Sequence, residues 1–296
     1  MLRRHKGVPV AIAAAGTLVS MLALGPATTA VAAPAWQTHV CHGTPRNPGE
    51  LIGRNLDVIV RGVCLVRLGP VAVSGNVILT RYSTLIAAYG AHNSRLNVAG
   101  NIFVHKGATL LLGCEPKHFA CLDDPHPKRP TLASHSTVGG SLIATVALGV
   151  VVHNSWFGHN IIELGGGGGV TCKPSGPFAH FHSPVYSDYE DNWIGGSIWV
   201  KDLNTCWIGV IRNWVGVDAR VSRNRAADPD AMEVVTNTVH RDLTCWNNKP
   251  KVQFGDSRGL PNQVGLHAFL ECSFRRILPN PSNQHVHFSH ISVHLR

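Results

Sequence analysis

Two groups of acids stand close enough in the chain to act together: Asp188, Glu190 and Asp191, then Asp228, Asp230 and Glu233. Clustered carboxylates suit two kinds of chemistry. They can hold a hard cation such as calcium while a basic residue removes a proton α to a carboxylate, as in a polysaccharide lyase. Two of them facing one cleft can instead split a glycosidic bond. Lys201, Arg212 and Arg220 are the basic side chains near the first group. The same residue types also serve plain structure. Acids in turns on a solvated edge need no chemistry, and Asp191 and Arg212 hold equivalent places that predict a stacked ion pair. No catalytic assignment is therefore made. Asp188, Glu190, Asp228 and Asp230 stand as candidates only, calcium is the one cofactor the pattern admits, and no metal site is assigned.

His180-Phe-His182 and His285-Val-His287 each put two imidazoles on one face of a strand, a weak pattern for copper or zinc. Gly165 to Gly169 is a run of five glycines with no helix after it, which predicts a turn rather than a phosphate loop. No G-x-S-x-G, H-E-x-x-H or nucleotide motif occurs. Five tryptophans, Trp156, Trp193, Trp199, Trp207 and Trp214, crowd one stretch. Trp193 and Trp214 each follow an Asn directly, and core or turn packing is the expectation for them.

What must position these residues is a recurring frame. Val-Ser-Gly-Asn-Val-Ile-Leu (73–79), Val-Ala-Gly-Asn-Ile-Phe-Val (98–104) and Ile-Gly-Gly-Ser-Ile-Trp-Val (194–200) are three copies. The polar residue of the frame falls at Asn55, Asn76, Asn101, Ser141, Asn160, Ser197, Asp218, Asp242 and His267. The spacings are 21, 25, 40, 19, 37, 21, 24 and 25; the two long ones hold insertions, Cys114 to Pro130 and Cys172 to Pro184. A second polar position lies five residues earlier, at Ser136, Ser155, Asn192, Asn213, Asn237 and Asn262. Asp188 and Glu233 each precede that second position by four, which predicts one side of the molecule for both.

Each unit carries two short runs rich in Val, Ile and Thr, split by Gly, Asn and Ser turns, with no helical periodicity. Strands of this kind stack about 4.8 Å apart into a parallel coil whose inward residues make one core. The fold class predicted is all-β: a right-handed parallel β-helix (β-solenoid) of about nine coils of 19–25 residues. The frame's polar side chains are expected to hydrogen-bond from coil to coil as a ladder.

All eight cysteines follow residue 40. No Cys-x-x-Cys occurs, so disulfides are favoured over zinc, with neighbour pairing expected: Cys41–Cys64, Cys114–Cys121, Cys172–Cys206 and Cys245–Cys272. That chemistry agrees with the N-terminus. Arg3, Arg4 and Lys6 precede an apolar run from Val8 to Leu24, and Ala30 and Ala32 give a small-residue site, so residues 1–32 read as a signal peptide cut after Ala32. The β-helix domain then spans 33–272, and 273–296 reads as a tail forming an extra strand. Losing the signal lowers the formal net charge from +9 to +6. No later run is apolar for long enough to span a bilayer. Secretion removes nucleic acid as a routine partner, and a mild positive charge suits a polysaccharide or other cell-envelope polymer.

Tyr-Ser-Asp-Tyr-Glu-Asp-Asn (186–192), Thr-Cys-Trp-Ile-Gly-Val-Ile-Arg-Asn (205–213), Asp-Pro-Asp-Ala-Met-Glu (228–233) and the closing stretch from Asp-Leu-Thr-Cys (242–245) to Glu-Cys (271–272) carry a resemblance. Over roughly residues 41–272 the chain resembles a family of secreted actinobacterial proteins with a β-helix-like repeat. The resemblance implies the fold and the location but no activity, and this chain replaces several of the ladder Asn and Gly positions. The function expected is a non-catalytic, structural, adhesive or glycan-contacting role at the cell envelope. The alternative is a carbohydrate-active β-helix enzyme, a lyase or glycoside hydrolase.

Overall fold

A computed structural model describes residues 36–273 apart from Asp256 and Arg258. The expected signal peptide (1–32), residues 274–296 of the expected tail strand and the His285-Val-His287 pair lie outside the described residues. The chain is mostly short strands; helix is limited to Pro177–His180 and single 3-10 turns at Ala91–Asn93 and Glu271–Ser273. No described helix is long and apolar enough to cross a membrane.

The strands form a seventeen-stranded sheet, a nine-stranded sheet and a two-stranded pair. The large sheet holds two runs that share Val58–Leu65: its first half pairs with Val77–Leu79 and its second half with Thr84–Ala87, both in parallel. Along the first run, one register position passes through Val58, Val77, Ile102, Leu142, Ile161, Ile198, Ala219, Leu243 and Ala268. The second run continues through Thr109–Leu112, Gly149–His153, Tyr186–Glu190, Trp207–Ile211 and Glu233–Val235. The nine-stranded sheet runs in parallel from Gly53–Asn55 to Gln263–Val264. From Pro70 to Leu112 the chain visits the nine-stranded sheet, the first run and the second run in turn, and then again in the same order.

Alternation explains the core. In Val77–Leu79 and Ile102–Val104 the first and third side chains are buried and the middle one is half out. β-branched residues fit this half-buried pleat. Burying each such side chain contributes roughly 1.5–3 kcal/mol, and the inward residues of all the faces merge into one apolar cluster.

The second run is different, because its strands are buried on both faces. Thr84–Ala87, Thr109–Leu112 and Tyr186–Glu190 expose nothing. The cover comes from the two cysteine-bearing insertions: Phe119, Cys114 and Cys121 of the first and Phe178 of the second pack with Ile86, Leu111, Val151 and Tyr186. Disulfides join Cys41 to Cys64, Cys114 to Cys121, Cys172 to Cys206 and Cys245 to Cys272. All five residues of Gly165 to Gly169 take positive φ, from 66° to 102°, a region in which glycine alone is unstrained. This run leads out of Ile161–Gly166 towards the second insertion.

Polar side chains connect neighbouring strands in two distinct ways. At the frame position each residue's side-chain oxygen accepts the backbone N–H of the next frame residue. The bonds run Asn101 to Asn76, Ser141 to Asn101, Asn160 to Ser141, Ser197 to Asn160, Asp218 to Ser197 and Asp242 to Asp218, donor first. Only an acceptor is needed, so Asn, Ser and Asp interchange. The start of this ladder corrects the sequence reading. Asn76 donates to Asp57 Oδ1, whereas Asn55 lies in the nine-stranded sheet opposite Val73 and its amide bonds Ile52 O. The frame's glycine is missing there, so spacing alone chose the wrong polar residue by two.

The second polar position forms a buried ladder with the opposite sense. Here the earlier residue donates: Asn192 N–H to Asn213 Oδ1, Asn213 N–H to Asn237 Oδ1, and Asn237 N–H to Asn262 Oδ1. Each amide also donates to the next Oδ1 and to a backbone carbonyl, as Asn213 Nδ2 does to Asn237 Oδ1 and Tyr189 O. Donor and acceptor are both required, which selects Asn. A third ladder, unforeseen from the sequence, runs Asn224, Asn248, Glu271, and the Glu271 carboxylate closes it by accepting both N–H and Nδ2–H of Asn248.

Candidate functional site

The acids of the first group do not lie on a solvated edge. Asp188 and Glu190 belong to the strand Tyr186–Glu190 and are only 6% and 8% exposed. Strand alternation turns Ser187 and Tyr189 the other way, and Tyr189 joins the main core. In register, Asp188 falls opposite Val151 and Gly209, and Glu190 opposite His153 and Ile211. His153, 1% exposed, is thereby brought beside both acids: Nε2 lies 3.3 Å from Asp188 Oδ2 and Nδ1 lies 3.9 Å from Glu190 Oε2. Phe119 of the first insertion stacks on the imidazole at 4.3 Å between ring centres and 9° between planes.

Arg212 closes one side. Its guanidinium grips Asp191 through Nε and Nη2, at 2.9 and 2.8 Å, and also bonds Glu190. The expected Asp191–Arg212 pair is thus one part of a larger buried network. Glu115 and His118 of the insertion approach Asp191 on the outer side.

The electrostatics follow from burial. Burial holds the His153 imidazole below its usual value against the pull of Glu190 and Asp191. It drives the Asp188 carboxyl well above the carboxylate range, with Arg212 opposing. Glu190 is pushed up to about 7 by burial and then by Asp188, against His153 and Arg212. Burial works against the Arg212 charge, yet bonding to Asp191 and Glu190 leaves its pKa raised. Neither His153 nitrogen nor Asp188 Oδ1 has a hydrogen-bond partner among the described residues.

Other candidates lie elsewhere. Asp228 neighbours the Cys172–Cys206 disulfide, and its carboxylate accepts the Asp230 N–H in a local turn. Glu233 shares the register column of Asp188 with Gly209 between them, so the predicted common side holds for this pair. It is fully buried, bonded by Trp207 Nε1 and by Ser257 N–H. His180 and His182 sit at the end of a helical turn and at a positive-φ residue, not on one strand. Asp218 and Asp242 do stack, and each has a cationic or imidazole neighbour, Arg241 and His267.

Tryptophans need the second correction. Trp193 and Trp214 are 38% and 37% exposed and point outward while Ile194 and Val215 fill the core. With Trp156 they form a stack, at 5.3 and 4.8 Å between ring centres and within 8° of parallel. The alternation predicted one residue of each pair inward, and the β-branched side chain takes the interior. On another face Arg220 lies over Trp199 and Arg223 over Trp246, each at 5.5 Å. Beside Trp246, a depression is lined by Asp202, Asn204, Arg223, Arg225 and Asn247. Arg223 pairs with Asp202 through two bonds, while the Arg225 side chain has no ion pair among the described residues.

No protein family, no curated protein and no solved structure matches this chain. The site therefore speaks through its own geometry.

Proposed function

We propose that the chain is a secreted, non-catalytic, right-handed parallel β-helix of about nine coils that contacts an anionic polysaccharide at the cell envelope. The visiting order of the strands and the ladders linking them support the fold, and the four disulfides suit an oxidising compartment. One observation carries the functional choice: indoles and guanidiniums share one exposed surface, with Trp199 under Arg220, Trp246 under Arg223, and Arg225, Asn204 and Asn247 lining the depression beside them. Aromatic rings cover the apolar faces of sugars, and guanidiniums bind uronate carboxylates in fixed, two-pronged geometry. Of the acids a glycosidase or lyase would use, Asp188 and Glu190 are instead buried beside His153, on which Phe119 stacks, and Asp228 and Asp230 form a separate local turn.

The test is affinity electrophoresis of the oxidised chain in gels containing polygalacturonate or a neutral glucan. Retardation is expected with the acidic polymer alone. Trp246→Ala combined with Arg225→Ala weakens it about tenfold or more, and unaltered retardation in that variant refutes the assigned surface. The shifted pKa values of Asp188, Glu190 and His153 favour a second reading, a carbohydrate-active enzyme whose insertion opens. New reducing ends or unsaturated uronates, abolished by Asp188→Ala, would establish that reading.

A further inference from the structure

The trio under the first insertion lacks something. His153 is buried with both ring nitrogens unbonded, and Asp188 presents a second unbonded oxygen, Oδ1. Polar atoms that make no hydrogen bond in a dry site are costly, even though Asp188 Oδ2 lies 3.3 Å from His153 Nε2. Such groups in a native protein call for a missing partner.

The surroundings define what that partner is. One ligand atom each from His153, Asp188 and Glu190 lie within 4.8 Å of one another. The 3.3 Å between His153 Nε2 and Asp188 Oδ2 matches the roughly 3.4 Å that separates two donors on one tetrahedral ion with bonds of about 2.0–2.2 Å. Three carboxylates, Asp188, Glu190 and Asp191, cluster here, and one guanidinium, Arg212, pairs with Glu190 and Asp191. When all are charged, two negative charges remain uncompensated, the amount a dication neutralises. Gly209 on the adjoining strand lets Asp188 and the Trp207 ring pack closely there, since a Cβ would lie 2.3 Å from the Trp207 ring and 2.4 Å from Asp188 Oδ1. Phe119 holds the ring in plane from above, and the Cys114–Cys121 disulfide fixes the loop that carries it. Glu115 and His118 stand on that loop at the way in.

We propose that His153, Asp188 and Glu190 form a site for one divalent transition-metal ion of zinc type, closed by the first insertion. Mixed nitrogen and oxygen donors suit such an ion and disfavour calcium, which takes oxygen ligands alone. The site is independent of the polysaccharide surface, which lies around Trp246.

The test uses the whole oxidised chain, stripped with a chelator and dialysed against zinc chloride. Bound zinc is counted, and crystals are examined for anomalous scattering at the zinc edge. We expect an anomalous peak about 2.1 Å from one His153 nitrogen, and one fewer zinc per chain in Asp188→Asn and in His153→Gln. If both variants misfold, the peak in the unaltered protein decides alone. Zinc found only elsewhere, as on the histidines beyond residue 273, overturns the proposal. So does an unchanged zinc count in either variant with its near-ultraviolet dichroism intact.

Discussion

A single amide or hydroxyl is worth very different amounts on the two kinds of ladder. At the frame position Asn160 needs only to accept the Ser197 N–H, a task Ser performs at Ser141 and Ser197. Asn160→Ser is expected to shift stability by less than about 1 kcal/mol. Asn213 both donates and accepts in the interior. Asn213→Asp removes two donors and buries a charge, and costs about 3–5 kcal/mol; equal urea midpoints for the two variants would contradict the division of roles. Glu163 is a third buried case, unforeseen because it follows two isoleucines in an ordinary strand. Its carboxyl receives the hydroxyls of Ser187 and Tyr189, and burial pushes it up to about 7 in spite of those bonds. An unfolded glutamate titrates near 4.3, so the folded chain binds this proton more tightly. The stability it contributes is complete below about pH 4.3 and is lost as pH rises through 7, about 4 kcal/mol at most. Glu163→Gln should remove that decline; urea unfolding between pH 4.5 and 8 that keeps the same slope rejects this account. The sequence showed the ladders because their residues recur. It hid Glu163 and His153 because a lone polar residue in a strand carries no sign of what the other faces bring to it.

At the level of the strand, side-chain parity decides cost. Leu142 and Ile143 are neighbours, the first fully buried and the second half-buried on the outer face. Leu142→Ala is expected to cost about 2–5 kcal/mol and Ile143→Ala less than half of that, both read from thermal or urea unfolding. Parity was legible from composition wherever Val or Ile alternates with a polar residue. It misled at Trp193 and Trp214, where both residues of each two-residue strand are apolar and composition alone does not choose between them. The two insertions were legible as loops from their Pro and Cys content. Their cover over Tyr186–Glu190 was not, since nothing local tells a loop which face it will lie on. Replacing Cys114 and Cys121 by Ser frees a seven-residue span, at a cost of about 2–3 kcal/mol by loop entropy. That variant should also lose the Phe119 stack on His153, visible as a changed near-ultraviolet dichroism. An unchanged signal would mean that apolar packing alone seats the loop.

Across the molecule, every strand of the three faces draws its backbone bonds from the strands directly before and after it on that face. Opening is then cheapest at the extremities, where a strand has one neighbour rather than two. Amide exchange should be slowest in Val150–Val152, flanked on both sides, and fastest in Ala268–Leu270, which has a single pairing partner among the described residues and exposed side chains. Uniform protection would point to one cooperative unit. The overall β character could be read from the spacing of the frame, but two strands were expected in each unit where the chain forms three. The depression beside Trp246 could not, because Asp202, Arg223 and Asn247 come from three separate turns that only the register aligns.

The two opposed senses of the ladders bear on unfinished chains. On the outer ladder an acceptor is already in place before its donor is added, but on the buried ladders the donor comes first and waits for a residue 21 to 25 positions later. A polypeptide broken off anywhere from Asn192 to Leu270 therefore ends with interior N–H groups unanswered. A premature stop after Trp246 strands the donors of Asn224, whose acceptor is Asn248, and those of Asn237, whose acceptor is Asn262. A product that reaches Glu271 has the interior donors of Asn224, Asn237 and Asn248 all accepted, the last by the Glu271 carboxylate.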